Sequence, residues 1–128
     1  MQELNGQVAV ITGGASGIGL ALAYRFAEAG MAVAVGDVEE LALDAAVEEL
    51  RGSGANVYGA RLDVSDVESM DRFATGATDA LGPPHVVCLN AGVASSRPIV
   101  DHTLDDWQWV LGVNLWGIVH GLSAVLTG

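Results

Sequence analysis

Lysine is absent from this 128-residue chain and cysteine occurs once, and both facts limit what the chain can do. Five arginines face 16 acidic residues, giving a net charge of −11. Nucleic acids and anionic membranes are bound through basic patches, so this charge argues against both as partners. A single cysteine, Cys88, can form no internal disulfide and suits a reducing compartment.

Targeting and metal-binding signals are also missing. No positively charged start precedes the first apolar run, so we expect no signal peptide. No unbroken apolar run reaches the roughly 18 residues of a membrane-spanning helix. His85, His102 and His120 are scattered, and no two have metal-ligand spacing. We therefore expect a cytoplasmic protein without a metal site.

What the chain does contain is an alternation of strand and helix patterns. Short apolar runs predict four strands, at 7–12, 31–37, 55–63 and about 85–90, and the first two are expected to be buried. Helical periodicity lies between and after them, at 17–29, 39–51, from Ser65 onward, and at about 104–126. This alternation predicts one α/β domain: a Rossmann-like doubly wound parallel sheet, truncated, with strand order 3-2-1-4 and four helices.

Side-chain patterns refine two of these helices and two helix starts. Leu41, Ala45 and Leu50 are expected to face the core from the second helix. Two capping boxes are expected to open the third and fourth helices, Ser65 with Glu68 and Thr103 with Asp106. The fourth helix is apolar on several sides, which predicts burial on several sides. Its stripes contain Leu104, Trp107, Leu111, Leu115, Ile118 and Leu122, and Trp109, Val113 and Trp116.

The richest glycine segment is "VAVITGGASGIG" at 8–19. Its strand ends at Thr12 and its helix begins near Gly17, so bare backbone lies at the carboxyl edge of the sheet. Unpaired N–H groups and the positive helix end suit a pyrophosphate there. The alternative is a plain tight turn between strand and helix.

The spacing Thr12-Gly13-x-x-x-Gly17-x-Gly19 resembles the glycine motif of the short-chain dehydrogenase/reductase family. Matching motifs follow in chain order: Asp63-Val64 after the third strand, "NAG" at 90–92, and "VNLWG" at 113–117. Residue 89 is Leu where the family usually has Asn. The resemblance covers about 4–126, and it implies hydride transfer between a nicotinamide and a carbonyl or alcohol.

Residue roles follow from this resemblance. It implies a catalytic Asn114 and a dinucleotide site formed by Thr12, Gly13, Ser16, Gly17, Ile18, Gly19, Asp37, Asp63, Val64, Asn90, Ala91 and Gly92. Asp37 ends the second strand, where a carboxylate can accept ribose hydroxyls and repel a 2′-phosphate, which favours NAD over NADP. The alternatives are a turn or capping role for Asp37, a helix cap for Asp63, and a hydrogen-bonded core asparagine for Asn114.

The family's remaining catalytic groups, a Ser and a Tyr-x-x-x-Lys pair, have no counterpart in these 128 residues. Tyrosine needs a nearby ammonium to act as a base at neutral pH, and the chain has no lysine. We therefore expect the cofactor-binding part of an oxidoreductase, inactive alone, with a small alcohol or carbonyl substrate only in a full-length relative. The alternatives are a stand-alone dinucleotide-binding module and an interaction protein. A methyltransferase-type nucleotide site fits the glycine spacing less well. Helix 104–126 is expected to mediate self-association.

Overall fold

The computed structural model of the protein describes residues 3–126. Four parallel strands form its sheet: β1 (Val8–Thr12), β2 (Ala32–Asp37), β3 (Val57–Arg61) and β4 (Val86–Leu89). They lie in the order β3-β2-β1-β4, which confirms the predicted 3-2-1-4 arrangement. The first three strands are added in one direction across the sheet, and β4 is then added on the other side of β1. This change in strand order places a crevice at the carboxyl ends of β1 and β4.

Helices connect the strands and continue after the last one. The first three are α1 (Gly17–Glu28), α2 (Glu40–Gly52) and α3 (Val67–Leu81). After β4 come a 3₁₀ turn (Ile99–Asp101), α4 (Leu104–Leu111), a π turn (Gly112–Trp116) and α5 (Gly117–Leu126). The last three segments join into one helical stretch, the long helix, which corresponds to the predicted fourth helix.

The two central strands, β1 and β2, are buried on both faces, as their continuous apolar sequences predict, whereas the four residues of β4 are only half-buried. All five residues of β1 are buried. One core layer lies between the sheet and α1 and α2, and it includes Ile11, Val33, Val35, Leu43 and Leu50. The second lies under α3 and includes Val10, Ala34, Leu62, Met70 and Phe73.

The predicted inner face of α2 was wrong for two of its three residues. Leu41 is 89% exposed and Ala45 is exposed, whereas Leu50 is fully buried. The residues that face the core are Leu43, Ala46, Val47 and Leu50. These recur at the 3- and 4-residue spacing of one helix face, whereas Leu41 lies about 200° around the helix from Leu43.

The predicted cap of α3 was also wrong by one residue. Asp66 is the N-cap, and its carboxylate accepts hydrogen bonds from the amides of Glu68 at 3.0 Å and Ser69 at 3.4 Å. The Ser65 hydroxyl donates instead to the Asp63 carboxylate, at 2.6 Å. A carboxylate one residue nearer the helix replaces the Ser65–Glu68 capping box.

The Thr103–Asp106 capping box at the start of the long helix is confirmed. The Asp106 amide donates to the Thr103 hydroxyl at 3.2 Å, and the Thr103 amide donates to the Asp106 carboxylate at 2.8 Å. Further along, Gly117 and Gly121 are the buried residues of α5. A Cβ at Gly121 would lie 2.6 Å from the Leu89 side chain, so the helix approaches the sheet closely.

The prediction that the long helix is buried on several sides is wrong for the described residues, because most of its large apolar side chains are exposed. At least 40% of the surface remains accessible for Leu104, Trp107, Trp109, Leu111, Leu115, Trp116, Ile118, Val119, Leu122 and Leu126. By length and composition alone, this helix could also cross a membrane. The expectation drawn from unbroken apolar runs missed it, because Asp105, Asp106 and Asn114 interrupt the run. Core helices of soluble proteins meet the same criterion, so the absence of a membrane partner stays a prediction.

Candidate functional site

The glycine loop between β1 and α1 is shaped by positions that tolerate no side chain. Gly13 and Gly17 have φ values of +68° and +55°, which L residues with side chains rarely adopt. A Cβ at Gly19 would lie 2.1 Å from the Gly13 carbonyl oxygen. The Ser16 side chain makes no capping hydrogen bond and the first turn of α1 carries no acid. The amides at this helix end therefore remain available to an anionic ligand.

Gly14 belongs to the same loop and was missed by the sequence reasoning. Its added Cβ would lie 2.9 Å from Cγ1 of Val35. The amides of Gly13 and Gly14 both donate to the carbonyl of Gly36, at 2.8 and 3.2 Å. The loop is thus held against the end of β2, and the Gly13-Gly14 doublet was the signal that could have revealed it.

Asp37 joins the end of β2 to this loop. One carboxylate oxygen accepts a hydrogen bond from the Ala15 amide at 3.0 Å, and the other accepts from the Glu39 amide at 3.1 Å. The turn role considered for Asp37 is therefore real, but each carboxylate oxygen retains a further lone pair for a ligand hydroxyl. Arg61 on β3 is the register partner of Asp37. This basic neighbour was not predicted, because it lies 24 residues away in the sequence.

The Asp63–Val64 segment follows β3 and forms one wall of the crevice at the carboxyl edge of the sheet. The Asp63 carboxylate accepts hydrogen bonds from the Ser65 amide at 3.0 Å and from its hydroxyl at 2.6 Å. Asp63 also donates its own amide to the Ser69 hydroxyl at 3.0 Å. Its side chain therefore builds the turn before α3, while Asp66 caps the helix. Val64 is buried, with 6% of its surface exposed.

Asn90 ties the end of β4 to the glycine loop. Its side-chain amide donates to the carbonyls of Thr12 at 3.3 Å and Gly13 at 3.2 Å. The Thr12 hydroxyl in turn accepts from the amides of Asn90 at 3.0 Å and Ala91 at 3.1 Å. Thr12 therefore acts as scaffold, since it links neighbouring strands at the point where the crevice opens.

Asn114 lies in the π turn of the long helix, and its side chain holds the segment that follows Gly92. Its carbonyl oxygen accepts from the Val93 amide at 2.8 Å, and its NH₂ group donates to the Val93 carbonyl at 2.8 Å. The residue is exposed, so the alternative of a hydrogen-bonded core asparagine is wrong. A side chain that pairs with both the backbone amide and the backbone carbonyl of Val93 fixes the position of that residue.

These elements enclose an open cleft of about 580 Å³. The predicted residues that line it are Gly13, Ser16, Ile18, Asp37, Asp63, Val64, Asn90, Ala91 and Gly92. Trp109 and Val113 of the long helix also line it and were not predicted. Thr12, Gly17, Gly19 and Asn114 are not among the lining residues. None of the described lining residues is basic, so an anion would be bound by backbone amides and the α1 dipole.

Among residues 3–126, no group of three or more His, Cys, Asp or Glu side chains is arranged to hold a metal ion. Burial raises the pKa of the Cys88 thiol, which keeps it in the unreactive protonated form at neutral pH.

Comparison with known proteins gives the family. The sequence profile described as short chain dehydrogenase matches residues 7–128. The chain belongs to the short-chain dehydrogenase family. Its sequence is 42% identical over 123 residues to a C alpha-dehydrogenase from a Sphingobium species, covering 95% of this chain and 40% of that protein.

Solved structures of family members show the same fold. A short-chain dehydrogenase/reductase from Burkholderia phymatum in complex with NAD has a TM-score of 0.96 and 41% identity, covering 99% of this chain and 45% of that one. A blue fluorescent protein from a metagenomic library, in complex with NADPH, has a TM-score of 0.91 and 31% identity, with coverages of 99% and 53%. The chain thus spans about half the length of these relatives, and the neighbours bind NAD and NADPH.

Proposed function

We propose that this chain forms the dinucleotide-binding part of an oxidoreductase that uses NAD in preference to NADP. The observation that carries the proposal is the contact between Asp37 and the glycine loop. The Asp37 carboxylate accepts a hydrogen bond from the Ala15 amide at 3.0 Å. This contact brings the carboxylate that we propose to bind the ribose close to the free amides of α1. A pyrophosphate and its adjoining ribose therefore have adjacent binding groups.

The glycine loop fits such a ligand. A Cβ at Gly13 would lie 2.9 Å from Cα of Ala91, and one at Gly19 would reach 2.1 Å from a backbone oxygen. The absence of side chains at these positions lets the loop pack tightly against the end of β4, which leaves the first turn of α1 beside the cleft. The bound nicotinamide would supply hydride transfer with a small alcohol or carbonyl compound. The residues of this chain bind and orient the dinucleotide.

The preference for NAD is argued from charge. Asp37, Glu39 and Asp63 all line the cleft, so a 2′-phosphate would meet carboxylates. Like charges in close contact disfavour binding. Arg61 stands beside Asp37 in the strand register and is the residue that could offset this repulsion. The family contains neighbours with NAD and with NADPH, so a direct comparison of the two cofactors is required.

Calorimetric titration of the purified chain with NADH and NADPH tests the proposal. We expect NADH to bind more tightly, and the Asp37→Asn variant to weaken NADH binding by about tenfold, since bonds to a charged acceptor are lost. NADPH binding should weaken less or improve. The Asp71→Asn variant removes a carboxylate outside the cleft and should bind both as the wild type does. Equal binding of both cofactors by the wild type would contradict the charge argument.

The 128-residue chain alone is proposed to be inactive as a dehydrogenase. A hydrogen bond from Tyr24 to Glu49 raises the pKa of the Tyr24 phenol, which opposes use as a base. Tyr58 packs beside Phe73 on the α3 side of the sheet, with ring centroids 6.0 Å apart. Neither tyrosine lines the cleft. Turnover by pure protein of verified mass would contradict this proposal.

We also propose self-association through the exposed face of the long helix, and residence in the cytoplasm. The first is supported by the row of exposed leucines and tryptophans on α4 and α5. The second is supported by the single free Cys88, which suits a reducing compartment.

A further inference from the structure

The cleft wall at Val64 is held by a residue far away in the sequence. His120 of α5 places its ring Nδ1 2.8 Å from the Val64 carbonyl oxygen. A carbonyl can only accept, so Nδ1 must carry the hydrogen and donate it. The same ring lies against Trp116, with centroids 6.2 Å apart. This packing restricts the orientation of the imidazole.

The long helix is closely fitted to this wall at two further positions. A Cβ at Gly117 would lie 2.6 Å from Cγ2 of Val64, and a Cβ at Gly112 would lie 3.3 Å from Cβ of Ser65. Two glycines therefore let the helix backbone approach the segment, and His120 adds a directed hydrogen bond. The close approach of the backbone and the hydrogen bond both join the long helix to the segment around Val64.

The hydrogen bonds within this wall are local. Asp63 binds Ser65 and Ser69, and the Asp66 amide donates to the Asp63 carbonyl at 3.0 Å. Those bonds fix the shape of the turn. At its start, the Leu62 amide donates to the Asp37 carbonyl at 3.0 Å and ties the turn to the end of β2. The bond from His120 spans 56 residues and ties the Val64 end of the turn to the long helix.

We propose that His120 is a positioning residue for the side of the cleft formed by Asp63, Val64 and Ser65. It fixes the Val64 carbonyl, and through it one wall of the cleft that is proposed to bind the dinucleotide. The inference rests on the proposed dinucleotide function. Without the bond, the Val64 carbonyl loses its partner and the wall gains freedom that a ligand must remove on binding.

Two variants at position 120 separate the hydrogen bond from the bulk of the side chain. In His120→Asn, the side-chain NH₂ can occupy the place of Nδ1 and donate to Val64. In His120→Leu, a side chain of similar reach has no donor. The control is His102→Leu, which makes the same change at a histidine whose ring packs against Trp107, whereas that of His120 bonds to the Val64 carbonyl.

Calorimetric titration with ADP-ribose and NADH provides the first readout. We expect His120→Leu to weaken both by about 3- to 10-fold, the range of one hydrogen bond, and His120→Asn and His102→Leu to stay within about twofold of the wild type. Equal affinity in His120→Leu and the wild type would overturn the inference. A loss shared by Leu and Asn would also overturn it, because the donor would then be irrelevant.

Amide hydrogen exchange at Ser65 and Asp66 in the free protein provides the second readout. Exchange should accelerate at these two amides in His120→Leu and remain slow in His120→Asn, while the midpoint of global unfolding changes little. Unchanged exchange in His120→Leu would overturn the inference. A wild-type chain that binds neither ligand would contradict the proposed function, and the exchange data would still decide whether His120 holds the wall.

Discussion

Neighbouring backbone atoms limit which amino acids fit at single positions of the glycine loop. Backbone atoms cannot move aside as a flexible side chain can. Gly19 is the clearest case, because an added Cβ would lie 2.1 Å from the Gly13 carbonyl oxygen and 2.7 Å from the Asn90 side-chain nitrogen. Asn90 in turn donates to the Gly13 carbonyl at 3.2 Å. A side chain at position 19 would therefore separate the loop from the end of β4.

The Gly19→Ala variant should consequently lose NADH binding by at least about tenfold and lose about 1–3 kcal/mol of unfolding free energy, the usual cost of overpacking. Calorimetry and urea unfolding measure the two effects. Gly52→Ala is the matched control, because a Cβ at Gly52 meets nothing within 4 Å. That change should alter stability by less than about 1 kcal/mol. Normal NADH affinity in Gly19→Ala would refute the steric account.

Several of these residues were predictable because their spacing follows from local backbone geometry. Gly13, Gly17 and Gly19 stand at fixed intervals from the end of β1 into the first turn of α1, and two of them have positive φ. The partners of Asn114 were not predictable. Its side-chain amide bonds to the backbone of Val93, 21 residues away, and only the packed fold brings that residue to it.

Among the elements, the start of the long helix depends most clearly on charge. A hydrogen bond from the Thr103 amide lowers the pKa of the Asp106 carboxyl below its ordinary value of 3.8, and the nearby Arg97 guanidinium lowers it further. The folded state thus favours the carboxylate over the protonated acid. Its stabilising effect is complete above the unfolded pKa and is lost as pH falls through the folded one.

Asp106→Asn should therefore destabilise the protein at pH 7, and the difference from the wild type should shrink as pH falls below the ordinary value of 3.8. Urea unfolding followed by tryptophan fluorescence measures this, because Trp107, Trp109 and Trp116 all lie in the long helix. A difference that stays constant between neutral and acid pH would show that the charge of Asp106 is irrelevant.

Strands and helices were predictable where the hydrophobic periodicity was strong. Predictions of a helix cap and of a buried helix face failed where two neighbouring residues or two faces fitted the pattern. Ser65 and Asp66 are adjacent potential caps, and the carboxylate of Asp66 accepts two amides. On α2, Leu41 is a large apolar residue that lies on the outer face, so size misled the choice of the buried stripe. The π turn at Gly112–Trp116 has no sequence signature of its own, because it depends on how the helix fits the sheet.

The whole molecule exposes an apolar surface concentrated on the long helix. Leu115 and Leu122 are 51% and 48% exposed and lie seven residues apart, on one helix face. Exposed apolar patches of this kind mark contact surfaces. The same helix carries His120 and Trp109 toward the cleft, so its outer and inner faces serve different purposes.

The double variant Leu115→Gln with Leu122→Gln should shift the chain toward monomer in sedimentation equilibrium, raising the dissociation constant by about tenfold or more through loss of apolar burial. Leu41→Gln, at a residue 89% exposed on α2, is the control and should leave self-association unchanged. A wild-type chain that sediments as a monomer would contradict the proposed role of the helix.

The most direct test of the dinucleotide site is amide hydrogen exchange across the whole chain with and without saturating NADH. The account predicts slower exchange in four segments that meet at the carboxyl edge of the sheet: 13–19, 37–39, 62–65 and 90–93. Segments remote from the cleft, such as α2 (Glu40–Gly52) beyond its first turn, should not change. Protection confined to other segments, or none at saturating NADH, would contradict the claim that these residues bind a dinucleotide.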